Sequence, residues 1–126
     1  MLSQALLIGL GGFAGAIARF LVAQLVTARL GMLLPYGTLV VNVSGCFVLG
    51  LVLGALGAAA APHPGVRPLI ATGFLGAYTT LSTFSAETVL LLEEGSLLLA
   101  LVYVLASVGF GLAATFVGLA AGRALA

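Results

Sequence analysis

Charged residues are nearly missing from this chain, and their scarcity decides its class. Four arginines, three glutamates and no lysine make up 6% of the 126 residues and leave a net charge of +1. A soluble domain carries about 25% charged residues, so this chain cannot cover a surface that faces water. With 63% hydrophobic residues and a mean hydropathy of +1.35, the composition predicts an integral protein of the lipid bilayer and gives no support for a nucleic-acid partner.

Residues that carry enzyme chemistry are equally scarce. The single cysteine, Cys46, lies in an apolar run, where a small buried side chain is more common than a redox group or a metal ligand. The single histidine, His63, lies in a proline–glycine loop without a second metal ligand nearby. Because the sequence contains no nucleophile–base set, catalytic carboxylate pair or phosphate-binding loop, we predict that the protein is not an enzyme.

Four long apolar runs account for most of the chain, and each has about the 20 residues that a helix needs to cross a bilayer. They predict four transmembrane helices in a single domain of residues 1–126, at about 2–29, 36–61, 67–92 and 96–123. The first run is too long for the apolar core of a signal peptide and has no basic segment before it, so we expect a retained helix. The predicted fold class is an all-α integral membrane protein.

The loop arginines give little indication of orientation. Arg29 falls in the first loop, whereas Arg67 and Arg123 fall on the other side of the membrane. Orientation normally follows the bias of basic residues in short loops, and two residues against one is nearly no bias. Either other signals orient the chain, or it inserts both ways, which would permit an antiparallel homodimer of dual topology.

Glycine pairs with a spacing of four residues occur on three of the predicted helices, as Gly11 with Gly15, Gly50 with Gly54, and Gly118 with Gly122. Such pairs let helix backbones approach closely in lipid, where no hydrophobic force drives helices together. They indicate a compact bundle and carry no information about a substrate.

The third predicted helix contains residues that weaken it at membrane depth. Gly73 and Gly76 precede the threonine pair Thr79 and Thr80, and more hydroxyl side chains follow. Irregular backbone inside a bilayer is tolerated only where protein or a water-filled cavity satisfies its polar groups. We therefore predict a broken helix that handles something polar, where unwound carbonyls could bind a cation or half-helix N-termini could face an anion. Phe84 adds a ring whose partly positive edge suits an anion.

Isolated polar side chains elsewhere each allow two interpretations. Arg19 lies roughly 12 Å inside the first helix at ~1.5 Å per residue, and it either snorkels to the surface or stands at the foot of an aqueous vestibule. Thr38 and Asn42 share one face of the second helix, where Asn42 is either interhelical glue or part of a polar pathway. Glu87, one turn beyond Phe84, lies either at a vestibule mouth or at a helix cap.

A line of hydroxyl groups is predicted on the fourth helix, where Tyr103, Ser107, Gly111 and Thr115 recur every four residues. That stride places the side chains on one face of the helix. Such a line of O–H donors is what a dehydrating anion needs in place of water. Alternatively, the hydroxyls bond back to the carbonyls of their own helix.

Three stretches of the chain closely resemble the Fluc (CrcB-type) fluoride channels. They are residues 11–20 (GGFAGAIARF), 35–47 (PYGTLVVNVSGCF) and 73–87 (GFLGAYTTLSTFSAE). The resemblance covers essentially the whole chain in length, helix number and motif order, and the third stretch is its most specific part.

The resemblance implies an antiparallel dual-topology homodimer with two fluoride pores and a structural sodium ion (Na+) at its centre. In that family main-chain carbonyls at the helix break hold the sodium, and they correspond to Gly76 and Thr79 here. The vestibule charges correspond to Arg19 and Glu87. The positions expected to line the pores are Thr38, Asn42, Leu81, Ser82, Thr83, Phe84, Tyr103, Ser107 and Thr115.

One position departs from the family pattern. Family members usually carry two phenylalanines with a spacing of three residues after the paired threonines, and this chain has Leu81 and Phe84 in those places. A leucine keeps the wall apolar but offers no ring edge to an anion. We expect conduction to persist at a lower rate, because Asn42 and the hydroxyl line remain.

The implied function is passive, selective export of cytoplasmic fluoride across a prokaryotic plasma (inner) membrane, which relieves fluoride toxicity. The rival interpretation is a small dual-topology proton-coupled multidrug exporter. Such an exporter would need a titratable carboxylate inside its first helix, and the first helix here contains Arg19 and no acid. A purely structural bundle would leave the clustered hydroxyls of the third helix unexplained.

Overall fold

A computed structural model describes residues 1–59 and 63–126, and the regular structure within those residues is helical throughout. Three long helices and a broken segment make up the fold. The elements, in chain order, are α1 (Leu2–Leu30), α2 (Tyr36–Ala58), a π-helical segment (Arg67–Leu75) that leads into α3 (Gly76–Tyr78), α4 (Leu81–Glu93) and α5 (Leu97–Leu125).

Most helix ends lie within two residues of the predicted positions, and α2 differs most. It ends at Ala58 rather than at residue 61, because Ala59 has extended backbone with φ −70° and ψ 133°. Residues 60 and 61 lie outside the described part of the chain. The last helix, α5, begins at Leu97 and runs on to Leu125, slightly later at both ends than the predicted 96–123.

Among the described residues, α1, α2 and α5 are each long and apolar enough to cross a membrane. The predicted third helix is divided into two shorter pieces, on either side of Thr79 and Thr80. Neither piece alone has the ~20 residues that a membrane crossing needs, so a crossing here requires both pieces end to end.

The break has a clear local geometry. Thr79 and Thr80 both have extended backbone, with ψ values of 158° and 116°. The N–H and the hydroxyl of Thr79 both donate to the carbonyl of Leu75 at 3.1 Å, which closes the first piece. The hydroxyl oxygen of Thr80 accepts the N–H of Thr83 at 3.2 Å and so caps the N-terminus of α4, as N-terminal threonines commonly do.

The glycine pairs lie at the closest helix contacts, which confirms their predicted packing role. A Cβ atom at Gly50 or Gly54 of α2 would overlap backbone atoms of α5, and a Cβ at Gly118 would overlap the carbonyl oxygen of Phe47. Gly11 and Gly15 of α1 approach the backbone of the π-helical segment in the same way. The bundle is therefore built from backbone-to-backbone contacts.

Candidate functional site

Asn42 of α2 pairs with the broken backbone through two hydrogen bonds. Its Oδ1 accepts the N–H of Thr80 at 2.8 Å, and its Nδ2 donates to the carbonyl oxygen of Thr80 at 3.0 Å. Helix termini inside lipid leave backbone groups that need partners. The side chain of Asn42 therefore replaces the helical partners that Thr80 lacks, and we call this pair the Asn42–Thr80 clamp.

Two carbonyl groups at the break lack the N–H donors that a continuous helix would supply. In an unbroken helix, the N–H of Thr80 would donate to the carbonyl of Gly76, and the N–H of Thr83 would donate to the carbonyl of Thr79. Here the first N–H donates to Asn42 and the second donates to the hydroxyl oxygen of Thr80. Both carbonyls, at the two positions predicted for sodium, thus lose their helical donors.

Glu87 of α4 joins two hydroxyl groups from two other helices. Its Oε1 accepts the hydroxyl of Thr38 at 2.8 Å, and its Oε2 accepts the hydroxyl of Tyr103 at 2.6 Å. The ring of Tyr103 also contacts the ring of Phe84, with centroids 5.2 Å apart. Four predicted site residues therefore form one cluster, and Glu87 binds side chains of neighbouring helices instead of capping its own helix.

We expect Tyr103→Phe to lower the free energy of unfolding by about 1–2 kcal/mol, because hydrogen bonds to charged groups are the stronger ones and membrane bonds reach that range. The phenylalanine keeps the packing against Phe84. Thermal unfolding in a neutral detergent measures the change, with Tyr36→Phe as the matched control. Among the described residues, the hydroxyl of Tyr36 makes no side-chain hydrogen bond, so equal losses in both variants would contradict the assigned role of Tyr103.

A cavity with a largely polar lining links α1 to the helix break. It has a volume of about 400 Å³. Its polar lining comprises Arg19, Gln24, Thr27, Thr38, Thr80, Thr83 and Glu87. The half-exposed Arg19 lines this cavity, which favours the vestibule interpretation over snorkelling to the surface. We call this space the vestibule.

The three hydroxyl groups in the line on α5 differ in their hydrogen bonds. Tyr103 donates to Glu87, and Thr115 donates back to the carbonyl of Gly111 at 3.0 Å. The Oγ atom of Ser107 is buried and has no hydrogen-bond partner within the described residues. Of these three hydroxyls, only that of Thr115 donates to a carbonyl of its own helix. The hydroxyl of Ser107 remains an unused donor inside the protein.

The remaining predicted pore residues lie at the start of α4. Thr83 lines the vestibule, and both Thr83 and Ser82 hydrogen-bond to the hydroxyl of Thr80. Leu81 is 76% exposed and borders a separate space of about 240 Å³ together with Asn42 and Thr79. A single copy of the chain therefore brings Leu81 to the surface beside the clamp.

Two structural roles went unrecognised in the sequence. Thr80 was expected to weaken the helix, and its second role as the N-cap of α4 was missed, although a threonine just before a helical run is a usual capping signal. The hydroxyls of Ser44 and Tyr78 lie 2.9 Å apart and join α2 to α3. No local pattern reveals that pair, because its members are 34 residues apart in sequence.

These features define a class: a multi-pass membrane protein of apolar helices, with polar groups gathered around one helix break and one internal vestibule. Residues 6–119 match the family described as CrcB-like protein, Camphor Resistance (CrcB), and the chain belongs to that family. The predicted family membership is confirmed.

Curated relatives are similar in sequence to this chain over nearly its full length. A protein of Solibacter usitatus named "Fluoride-specific ion channel FluC" is 47% identical over 113 residues, which cover 90% of this chain and 93% of the relative. A protein of Rhizobium etli with the same name is 43% identical over 122 residues, covering 97% of this chain and 98% of the relative.

Proposed function

We propose that this protein is a fluoride-selective channel that lets cytoplasmic fluoride leave the cell passively and so relieves fluoride toxicity. The observation that carries the proposal is the vestibule, in which Arg19 shares one cavity with the hydroxyls of Thr80 and Thr83. A cation attracts an anion into the cavity. The hydroxyl of Thr80 donates to the hydroxyl oxygen of Thr83, so Thr83 supplies the fixed donor that replaces water around the anion, as other selective filters do. The names of the relatives support fluoride as that anion.

Beyond the vestibule, the path we propose runs past Phe84, Tyr103 and Ser107. Ser107 supplies a buried hydroxyl that no described residue uses, so it can donate to a passing anion without breaking another bond. The hydroxyls of Thr38 and Tyr103 already donate to Glu87. An anion that uses either donor must therefore displace a carboxylate oxygen, which couples its passage to movement of Glu87.

The proposed assembly is an antiparallel, dual-topology homodimer in a prokaryotic plasma (inner) membrane. Each copy crosses four times, with the π-helical segment, α3 and α4 together forming the third crossing. The nearly balanced loop arginines permit insertion both ways. Exposed Leu81 beside the clamp supports a partner copy at this face, because the second copy would cover it and bring it to a pore wall.

We further propose that a sodium ion lies at the dimer centre, held by the main-chain carbonyls of Gly76 and Thr79. Both carbonyls lose their helical donors, because the N–H groups in question donate to Asn42 and to the hydroxyl of Thr80. A Cβ built at Gly76 meets no atom closer than 4.0 Å, so the backbone there is open to approach. The residues therefore fit a cation that takes oxygen ligands, and the ion would hold the two copies together.

Fluoride release from liposomes tests the channel. Vesicles that contain the purified protein and potassium fluoride should release fluoride rapidly when a potassium ionophore balances charge, as followed by a fluoride electrode. Vesicles loaded with potassium chloride should keep their chloride. Absence of fluoride release, or equal release of both anions, would refute the proposal, whereas proton-driven uptake of a cationic drug would support the exporter instead.

We expect Phe84→Leu to slow fluoride release by about fivefold, because aromatic geometry contributes on the order of 1 kcal/mol beyond burial. Leu81→Phe is the complementary variant, which completes the pair of rings and should raise the rate. Initial release rates per protein molecule measure both. If Phe84→Leu releases fluoride as fast as the parent protein, ring-edge contact with the anion plays no part in conduction.

A further inference from the structure

A second cavity, remote from the vestibule, lies where α2 ends and the π-helical segment begins. It has a volume of about 460 Å³ and is lined by Leu53, Leu56, Gly57, His63, Pro64 and Arg67. We call it the basic cavity, since both of its ionisable residues are basic. None of these residues takes part in the clamp, the vestibule or the cluster around Glu87.

We propose that the basic cavity binds the phosphate headgroup of an anionic glycerophospholipid such as phosphatidylglycerol. Arg67 supplies a guanidinium group, whose fork of N–H donors matches phosphate oxygens. It is exposed, at the first position of the π-helical segment. This site is independent of ion conduction.

His63 is held with one ring nitrogen turned toward the backbone. Its Nδ1 accepts the N–H of Gly65 at 3.2 Å, which leaves Nε2 as the nitrogen that carries the proton. The imidazole therefore offers an N–H donor on its other side. Together with Arg67, it gives the basic cavity two donors for one phosphate group.

Charge distribution along the chain favours an anionic headgroup over a zwitterionic one. All three acidic residues of the chain are Glu87, Glu93 and Glu94, on α4 or at its C-terminal cap. None of them lines the basic cavity. The choline or ethanolamine of a zwitterionic lipid would meet basic groups without a carboxylate to balance them, whereas the hydroxyls of a glycerol headgroup would not be repelled.

The apolar wall accounts for a lipid rather than a free phosphate ion. Leu53 and Leu56 belong to the last turns of α2, a helix apolar enough to cross a membrane. Near the end of α2, an acyl chain of the lipid can lie along these two leucines while the phosphate of the same lipid contacts Arg67. Basic pockets between helix ends at the membrane surface are a recognised mode of binding anionic lipid headgroups.

Thermal unfolding of the full-length protein in a neutral maltoside detergent tests the site. Titration with dioctanoyl phosphatidylglycerol should raise Tm to a plateau, because a ligand that binds only the folded state stabilises it. Arg67→Gln should need about tenfold more of this lipid for half of the rise, as expected for loss of a charged hydrogen bond. Arg29→Gln, which removes an exposed arginine from the last turn of α1, should titrate like the parent protein.

Three results would overturn the proposal. An equal rise of Tm with dioctanoyl phosphatidylcholine would remove the preference for an anionic headgroup. The same rise of Tm with inorganic phosphate at the same concentration would make free phosphate the ligand. If Arg67→Gln responds to dioctanoyl phosphatidylglycerol like the parent protein, the lipid does not bind in the basic cavity. If Arg67→Gln does not fold, the same response in His63→Ala leads to the same conclusion.

Discussion

Asn42→Ala should reduce fluoride release at least about a hundredfold and should also lower Tm. The substitution leaves both the N–H and the carbonyl of Thr80 without the partners they have in the clamp. Each unsatisfied group costs about 1–3 kcal/mol, and ~1.4 kcal/mol corresponds to a factor of ten. The break can then relax toward a continuous helix, which removes the carbonyls and hydroxyls that the proposed channel uses.

The two measurements separate a clamp from a direct fluoride ligand. A residue that only binds fluoride would, when removed, slow release without changing Tm. Ser44→Ala is the matched control on the same helix, because it removes a hydroxyl that bonds to Tyr78 and to the carbonyl of Val41 and leaves the clamp intact. Normal release from Asn42→Ala would contradict the clamp, and an unchanged Tm with slow release would restrict Asn42 to the pore wall.

Gly118→Ala should destabilise the folded protein by about 1–3 kcal/mol, the usual range for overpacking a tight contact. The added Cβ would overlap the carbonyl oxygen of Phe47 and approach the N–H nitrogen of Leu51 to 2.9 Å. These are backbone atoms of α2, so no side-chain rotation can relieve the overlap, and the two helices must move apart. Thermal or denaturant unfolding in detergent measures the loss.

Gly109→Ala is the matched control for this substitution. Gly109 lies on the same helix, and a Cβ there meets no atom within 4 Å. Alanine is a better helix former than glycine by about 1 kcal/mol, so this variant should be as stable as the parent protein or slightly more stable. Equal destabilisation by both variants would show that α5 does not depend on close approach to α2.

The class of protein and the positions of its helices could be predicted from the sequence alone. Membrane helices are recognisable because each needs about 20 apolar residues, and α1, α2 and α5 contain such runs. The break was also predictable, since glycines and hydroxyl residues at membrane depth weaken a helix locally. The end of α2 was predicted too late, because a run of alanines gives no stop signal before the following proline.

The partners of the polar side chains could not be predicted in this way. Asn42 was open to two interpretations, and the structure pairs it with a backbone 38 residues further along the chain. Thr38 and Tyr103 were expected to line the pores, and no local pattern indicates that both hydroxyls donate to Glu87. Ser107 and Thr115 look alike in the four-residue pattern, but only the latter bonds to its own helix.

Composition and local pattern thus determined that this chain spans a membrane, and where one of its helices breaks. The tertiary structure decided which polar groups are already satisfied and which remain available, because each hydrogen bond depends on helices that are distant in sequence but adjacent in space. In a membrane interior without water, that difference separates the residues that hold the fold from those that can bind an ion.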